Sequence, residues 1–319
     1  MFRSTLYDPE YKPQFSGHET FPLRYGWLKK AYDAVAVSQS QGQERSVLQD
    51  DSAIAKFGVG KNMVASMRHW AMQCGVIEAE SGSGTLRTAP LGQRLFGVNG
   101  LDPYMENPAT LWLIHWQLVS YPTKTTWFWT FNHFPNTTFD RDHLVSGLTK
   151  FAADRGWSRI AAATIKRDVD CFVRTYAARP VGAKAAHEDA LESPLTELGI
   201  VKAVGKRDGF RIVRGPKASL GDGVFAHSVV DFWMRFSSAQ TLSFEALAHH
   251  AGSPGQAFQL DENELAERLA DLEEITNGAL RWSETAGLKQ VVRNVELDPE
   301  WALRLIGLDY TDTTHKKVA

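Results

Sequence analysis

The stretch Asp51–Gly75 reads DSAIAKFGVGKNMVASMRHWAMQCG, and its order decides the fold class. Asp51 and Ser52 supply short polar side chains that suit a helix start, so a short helix is expected over Ala53–Phe57. Gly58-Val59-Gly60 puts two glycines in three residues, which marks a tight turn. From Lys61 to Cys74, apolar residues recur at Val64, Met67, Ala71 and Cys74. Steps of three and four residues make the buried stripe of an amphipathic helix. The other side carries Asn62, Ser66, His69 and Gln73.

Working outward, Gly17–Ala36 reads as a turn entering a helix near Pro22, with Leu28, Tyr32 and Val35 inward. After Gly75, Val76-Ile77 begins a strand, Ser81–Thr85 forms a Gly/Ser tip, and Leu86 begins the return strand. Helix, short helix, glycine turn, helix and ribbon is the layout of a winged helix-turn-helix over residues 15–98. Residues 100–215 read as a helical middle unit ending in a hairpin. Asn107-Pro108 caps one helix, and Ile160–Ala177 forms another. The ring-dense run Trp127–Phe134 fits either a buried helix contact or base stacking. Residues 225–305 repeat the grammar of helix, turn, helix and ribbon, with helices over Leu242–Ala251 and Glu262–Ile275. The expected fold is therefore mainly α, of α+β type, with tandem winged-helix-like units around an aromatic-rich helical middle.

Charge is unevenly placed. The formal net charge is only −2, so the chain is not a polycation. Yet Lys202–Lys217 holds six Lys/Arg against Asp208 alone, whereas Glu245–Glu300 holds twelve acids against four bases. The first segment suits phosphate and the second suits a protein partner. Cys74 and Cys171 form no close pair, which fits a reducing compartment and excludes a zinc knuckle. The start of the chain carries no apolar signal-peptide core, and no apolar run is long enough to span a bilayer. A soluble, cytoplasmic protein is expected. No GxxxxGK[ST] loop suggests ATP hydrolysis, and no GxSxG elbow suggests a serine hydrolase.

The candidate DNA contacts follow from this layout. Lys61, Asn62, Ser66, Arg68, His69 and Gln73 lie on or beside the polar side of the presumptive recognition helix. Asn suits adenine, while Lys at a helix start suits phosphate. Arg87 sits on the first wing, and Lys202, Lys206, Arg207 and Arg211 make the second hairpin basic. Two constellations carry chemistry. His18-Glu19 offers a general base beside a carboxylate, or simply a helix cap. Asp168 and Asp170 are two residues apart, a spacing seen in metal-assisted phosphodiester cleavage. On a helix, such neighbours diverge by about 200°, so a surface charge cluster is the competing reading.

Five strings together resemble one family: SGHETFPLRYGWLKKAYD at Ser16–Asp33, FGVGKNMV at Phe57–Val64, DPYMENPATLWLIHWQL at Asp102–Leu118, TIKRDVDCFVRTY at Thr164–Tyr176 and GSPGQAFQLDENEL at Gly252–Leu265. The chain resembles the SspB family of single-strand DNA phosphorothioation systems. That resemblance implies a double-stranded DNA substrate, anti-phage defence and nicking of one strand to admit sulfur. It also implies partners: a cysteine desulfurase, an ATPase and an ATP-pyrophosphatase-like enzyme. The candidate residues for nicking remain those of the residue pattern, His18, Glu19, Asp168 and Asp170, with Mg²⁺ or Mn²⁺ as a possible cofactor; the resemblance assigns no catalytic residue. The alternative is a non-catalytic adaptor that binds DNA and docks the sulfur-transfer enzymes. An ordinary transcriptional regulator is a third reading.

Overall fold

The computed structural model describes residues 5–43, 45–157, 160–178, 193–205, 208–285 and 287–310. Lys206 and Arg207, the tip of the basic hairpin, lie outside them. The fold is mixed α+β, with helices dominating and three small antiparallel sheets.

The first element is α1 (Trp27–Ser40), which buries Leu28, Ala31, Tyr32 and Val35. It starts later than Pro22, the start expected from the sequence. The reason is local: Gly26 has a φ of 74°, in the left-handed region that no right-handed helix accommodates, so the helix begins only at Trp27. Glu19 and Thr20 therefore cap nothing, and Gly26 occupies the N-cap of α1. Next come α2 (Ala53–Phe57), ended by Gly58 in the left-handed region, and α3 (Lys61–Gln73). The ribbon pairs β1 (Ile77–Ala79) with β2 (Leu86–Thr88), and α4 (Pro90–Phe96) closes behind it. The closure is tight, because a Cβ on Gly92 would lie 2.1 Å from the Val76 carbonyl oxygen.

The middle of the chain supplies α5 (Pro108–Ser120), α6 (Thr125–Asn132), α7 (Arg141–Asp154) and α8 (Ala162–Tyr176). The Asn107 side chain caps α5 by accepting from the Ala109 N–H. Trp127, Phe128, Trp129 and Phe131 on α6 are buried, so the ring-dense run is core and offers no stacking platform. Strands β4 (Val201–Val204) and β5 (Gly209–Ile212) form the basic hairpin. A two-residue strand, β3 (Thr138–Phe139), pairs with the outer side of β5, giving the order β3-β5-β4.

The rest comprises α9 (Asp222–Phe236), β6 (Thr241–Ser243), α10 (Phe244–His249), α11 (Pro254–Ala257), α12 (Glu262–Ala270) and α13 (Leu272–Ile275). They are followed by β7 (Leu280–Thr285), β8 (Leu288–Arg293) and α14 (Pro299–Leu305), with sheet order β6-β8-β7. The single helix expected over Glu262–Ile275 is broken at Asp271, which ends α12 and begins α13. The buried apolar residues form one connected cluster from Leu6 to Ile306. At its middle, Trp112 and Trp116 of α5 pack against Phe258 at ring-centroid distances of 5.6 and 5.4 Å. Among the described residues, no helix is long and apolar enough to cross a membrane.

Candidate functional site

The loop Ser16–Thr20 brings the sequence's most distant chemical candidates together. Three of its non-glycine residues hold positive φ: 61° at Ser16, 46° at Glu19 and 66° at Thr20. Each such conformation costs about 1–2 kcal/mol, so something must hold the loop. Asp168 of α8 does so. Its Oδ1 accepts from the Ser16 N–H at 2.7 Å and from His18 Nε2 at 2.8 Å. Its Oδ2 accepts from the Thr126 hydroxyl at 2.9 Å and lies 3.6 Å from Lys124 Nζ. Lys124 also donates to the Ser16 carbonyl at 2.9 Å. His18 Nδ1 accepts from the Thr20 N–H at 3.0 Å, which places the ring proton on Nε2, facing the carboxylate.

The cluster is sealed. His18, Lys124 and Asp168 are each 1% exposed or less. Burial works against the charge on Asp168, but Lys124, His18 and the Ser16 N–H outweigh it and hold its carboxyl below the usual range. Burial lowers the ammonium pKa of Lys124, and Asp168 opposes that shift. Lys124 Nζ also stands 5.0 Å from the centroid of the Trp127 ring.

Helix α3 faces this loop with its polar side. A Cβ on Gly17 would stand 2.6 Å from His69 Nδ1, so loop backbone and imidazole touch. Trp70 Nε1 donates to the Phe21 carbonyl at 3.0 Å, and the Trp70 ring meets Trp127 at 5.6 Å. His69 is pushed down to about 3 by burial first, then by Lys124 and His18, and so stays neutral. Ser66 Oγ, His69 Nε2 and Gln73 Oε1 are sealed with no hydrogen-bond partner among the described residues. They sit at i, i+3 and i+7, in a row along the helix.

This arrangement corrects part of the recognition-helix reading. Ser66 is fully buried and cannot touch a DNA groove. His69 and Gln73 are half-buried, and the polar atoms just named are enclosed. Helical periodicity gave their common face but not what covers it; the loop that meets His69 lies about fifty residues upstream. Lys61 and Asn62 are exposed at the open end of α3, and Arg68 is half-buried. Arg68 and Lys61 line a cavity shared with Asp50 and Asp51.

The other candidates are dispersed. Asp170 does not join Asp168: it turns outward and pairs with Arg141 at 3.2 Å, while Arg141 also contacts Asp208. Glu19 is exposed. Arg87 is exposed and 3.4 Å from Glu80. Lys202 and Arg211 face each other directly across β4 and β5, and both are exposed. Sequence reasoning missed Lys124 and Thr126. Nothing in the local pattern around Lys124 marks it as a buried charge, because its partner is contributed by α8.

A divalent metal does not fit this cluster. Both nitrogens of His18 are engaged, and both oxygens of Asp168 are filled by donors. Among the described residues, no group of three or more His, Cys, Asp or Glu side chains is placed to hold a metal ion.

Residues 15–305 match the family described as "Protein of unknown function (DUF4007)", and the chain belongs to that family. It is also SspB-like. A magnesium-ion-bound SspB crystal structure is similar with a TM-score of 0.82 and 27% identity, over 97% of this chain and 90% of that one. A second SspB crystal structure is similar with a TM-score of 0.81 and 27% identity, over 96% and 90%. No curated protein matches the chain.

Proposed function

We propose that this protein is the DNA-binding component of a bacterial DNA phosphorothioate modification and anti-phage defence system, and that it nicks one strand to admit sulfur. The likeness to SspB over nearly the whole chain carries this reading. The succession α1, α2, α3 and ribbon supports a winged-helix manner of approaching DNA, with Lys61 and Asn62 at the open end of α3. The opposed Lys202 and Arg211 support a phosphate contact, because like charges directly across a sheet repel unless an anion sits between them. In this system the chain would act with a cysteine desulfurase, an ATPase and an ATP-pyrophosphatase-like enzyme in the cytoplasm. The acidic stretch Glu245–Glu300 is the surface best suited to them. A magnesium ion is bound in one SspB structure, so Mg²⁺ or Mn²⁺ belongs in any assay.

The test is relaxation of supercoiled plasmid by purified protein, with and without Mg²⁺ or Mn²⁺. Wild type should convert plasmid to the open circle, and Glu19→Ala and Asp170→Ala should be compared first, since neither is buried. A preparation that binds DNA but never relaxes plasmid, alone or with its partner enzymes, defeats the nickase reading.

The sealing of His18 and Asp168 favours a second reading. Their hydrogen bonds are satisfied inside the molecule, as a structural clasp requires, and a non-catalytic DNA-binding adaptor needs no more. In that case His18→Asn would alter stability while DNA binding, measured on the folded fraction, stayed constant.

A further inference from the structure

Arg24 lies between the strained loop and α1, and none of the chemistry described so far uses it. It is 8% exposed. Its Nε is sealed with no hydrogen-bond partner among the described residues. The guanidinium carbon stands 5.4 Å from the Phe21 ring centroid and 5.5 Å from that of Trp27. No carboxylate among the described residues pairs with Arg24, although Lys29 pairs with Asp33 on the same helix at 2.6 Å.

A guanidinium largely removed from water without an anion is costly, and two aromatic faces repay only part of that cost; its terminal nitrogens, unlike Nε, are not sealed and are the groups an anion can reach. The side chain is held in place by its packing, so its planar fork is pre-organised for an oxyanion. Three residues on, the N-terminus of α1 points the same way chemically. Its N-cap is Gly26, no side chain caps it, and its first turn holds no acid. Helix N-termini favour negative charge. The exposed Lys30 adds a further positive group in that first turn.

We infer that Arg24, beside the start of α1, where no side chain caps the helix and only the Trp27 N–H is taken, by the Arg24 carbonyl at 3.3 Å, is a binding site for a phosphate group. Under the DNA-binding reading above, that phosphate belongs to the DNA backbone. The phosphate site itself stands apart from whether the protein nicks.

Two measurements test it. The first is thermal unfolding of the full chain in inorganic phosphate against chloride at constant ionic strength. Phosphate should raise the wild-type midpoint, and Arg24→Met should abolish the rise. Without phosphate, Arg24→Met should melt at or above the wild-type temperature, because an unpaired buried charge has been replaced by a packed apolar chain. A wild type indifferent to phosphate overturns the site, however the variant folds. So does an Arg24→Met that melts well below wild type in chloride, which would make Arg24 a packing residue.

The second measurement is binding of a DNA duplex across a salt series. Arg24→Met should weaken binding about tenfold on any sequence and lower the salt slope by about 1. If it loses the phosphate response yet binds DNA as wild type does, the backbone assignment is wrong and the ligand is a free phosphate-bearing molecule.

Discussion

Asp168 decides the local order of the N-terminal segment. It ties two stretches 150 residues apart, and its charge is matched by a lysine that is equally buried. Asp168→Asn should therefore destabilise the protein by about 3 kcal/mol, since Lys124 would be left buried without a counterion. Urea denaturation measures the loss, and limited proteolysis should show cleavage near Ser16–Thr20. A variant with unchanged stability but no nicking would instead make Asp168 a participant in the reaction. The pH dependence has a definite sign: the folded carboxyl has a depressed pKa, so its contribution is complete above the unfolded value of about 4 and is lost as pH falls through the folded one. His115 behaves in the opposite sense to a paired histidine. Its ring nitrogens lie 2.8 Å from the Tyr176 hydroxyl and 2.8 Å from the Ala257 carbonyl, and burial pushes it down to about 4. The unfolded chain binds that proton below about 6.5, so stability should fall between pH 6.5 and 4, by about 2 kcal/mol from this residue at pH 5. Denaturation curves at pH 7 and 5 for wild type and His115→Gln check it, because His69 and His133 shift the same way; an equal fall in the two proteins would show that His115 is not its source.

Among the elements, those with several turns or a ribbon around a glycine turn were legible in the sequence, because apolar spacing and cap residues are local. α3, α5 and α8 fall close to where periodicity places them, and Ser243 and Asn107 cap as their chemistry demands. β3 and β6 were not legible. Two or three residues carry no period, and each strand forms only because a distant hairpin offers it an edge. The site divides the same way. The His18 and Asp168 types could be read from the chain, but their meeting, and the cover over Ser66, depend on long-range packing. The β4–β5 hairpin gives an element-scale test. Lys202→Glu places opposite charges across the register from Arg211, which should stabilise the hairpin by about 0.5 kcal/mol. If that face meets phosphate, the same change should weaken duplex binding and flatten its salt dependence. Tighter folding with undiminished DNA affinity would remove the hairpin from the DNA interface.

At the scale of the whole molecule, charge and packing divide the chain differently. Charge separates a basic hairpin from an acidic C-terminal stretch, as though the two were independent units. Packing joins them. Trp116 Nε1 and the Tyr121 hydroxyl both donate to Asp231 of α9, at 2.9 and 2.6 Å. Arg268 of α12 donates to the carbonyls of Leu220 and Lys217 at 3.1 and 3.0 Å. Asn107 Nδ2, at the cap of α5, donates to the Asp309 carbonyl at 2.9 Å. Each of these bonds crosses a boundary that composition alone would draw near residue 220. Separating the halves would also expose Trp112, Trp116 and Phe258, each of which buries on the order of 150–250 Å². Heat or urea should therefore unfold the protein in one transition, with tryptophan fluorescence and far-ultraviolet circular dichroism coinciding. A chain ending near residue 215 should fail to fold, because its aromatic core would lose its partners. Two resolved transitions, or a stable N-terminal fragment that binds DNA, would show instead that the parts on either side of residue 220 fold alone and that the shared core is only a contact between finished domains.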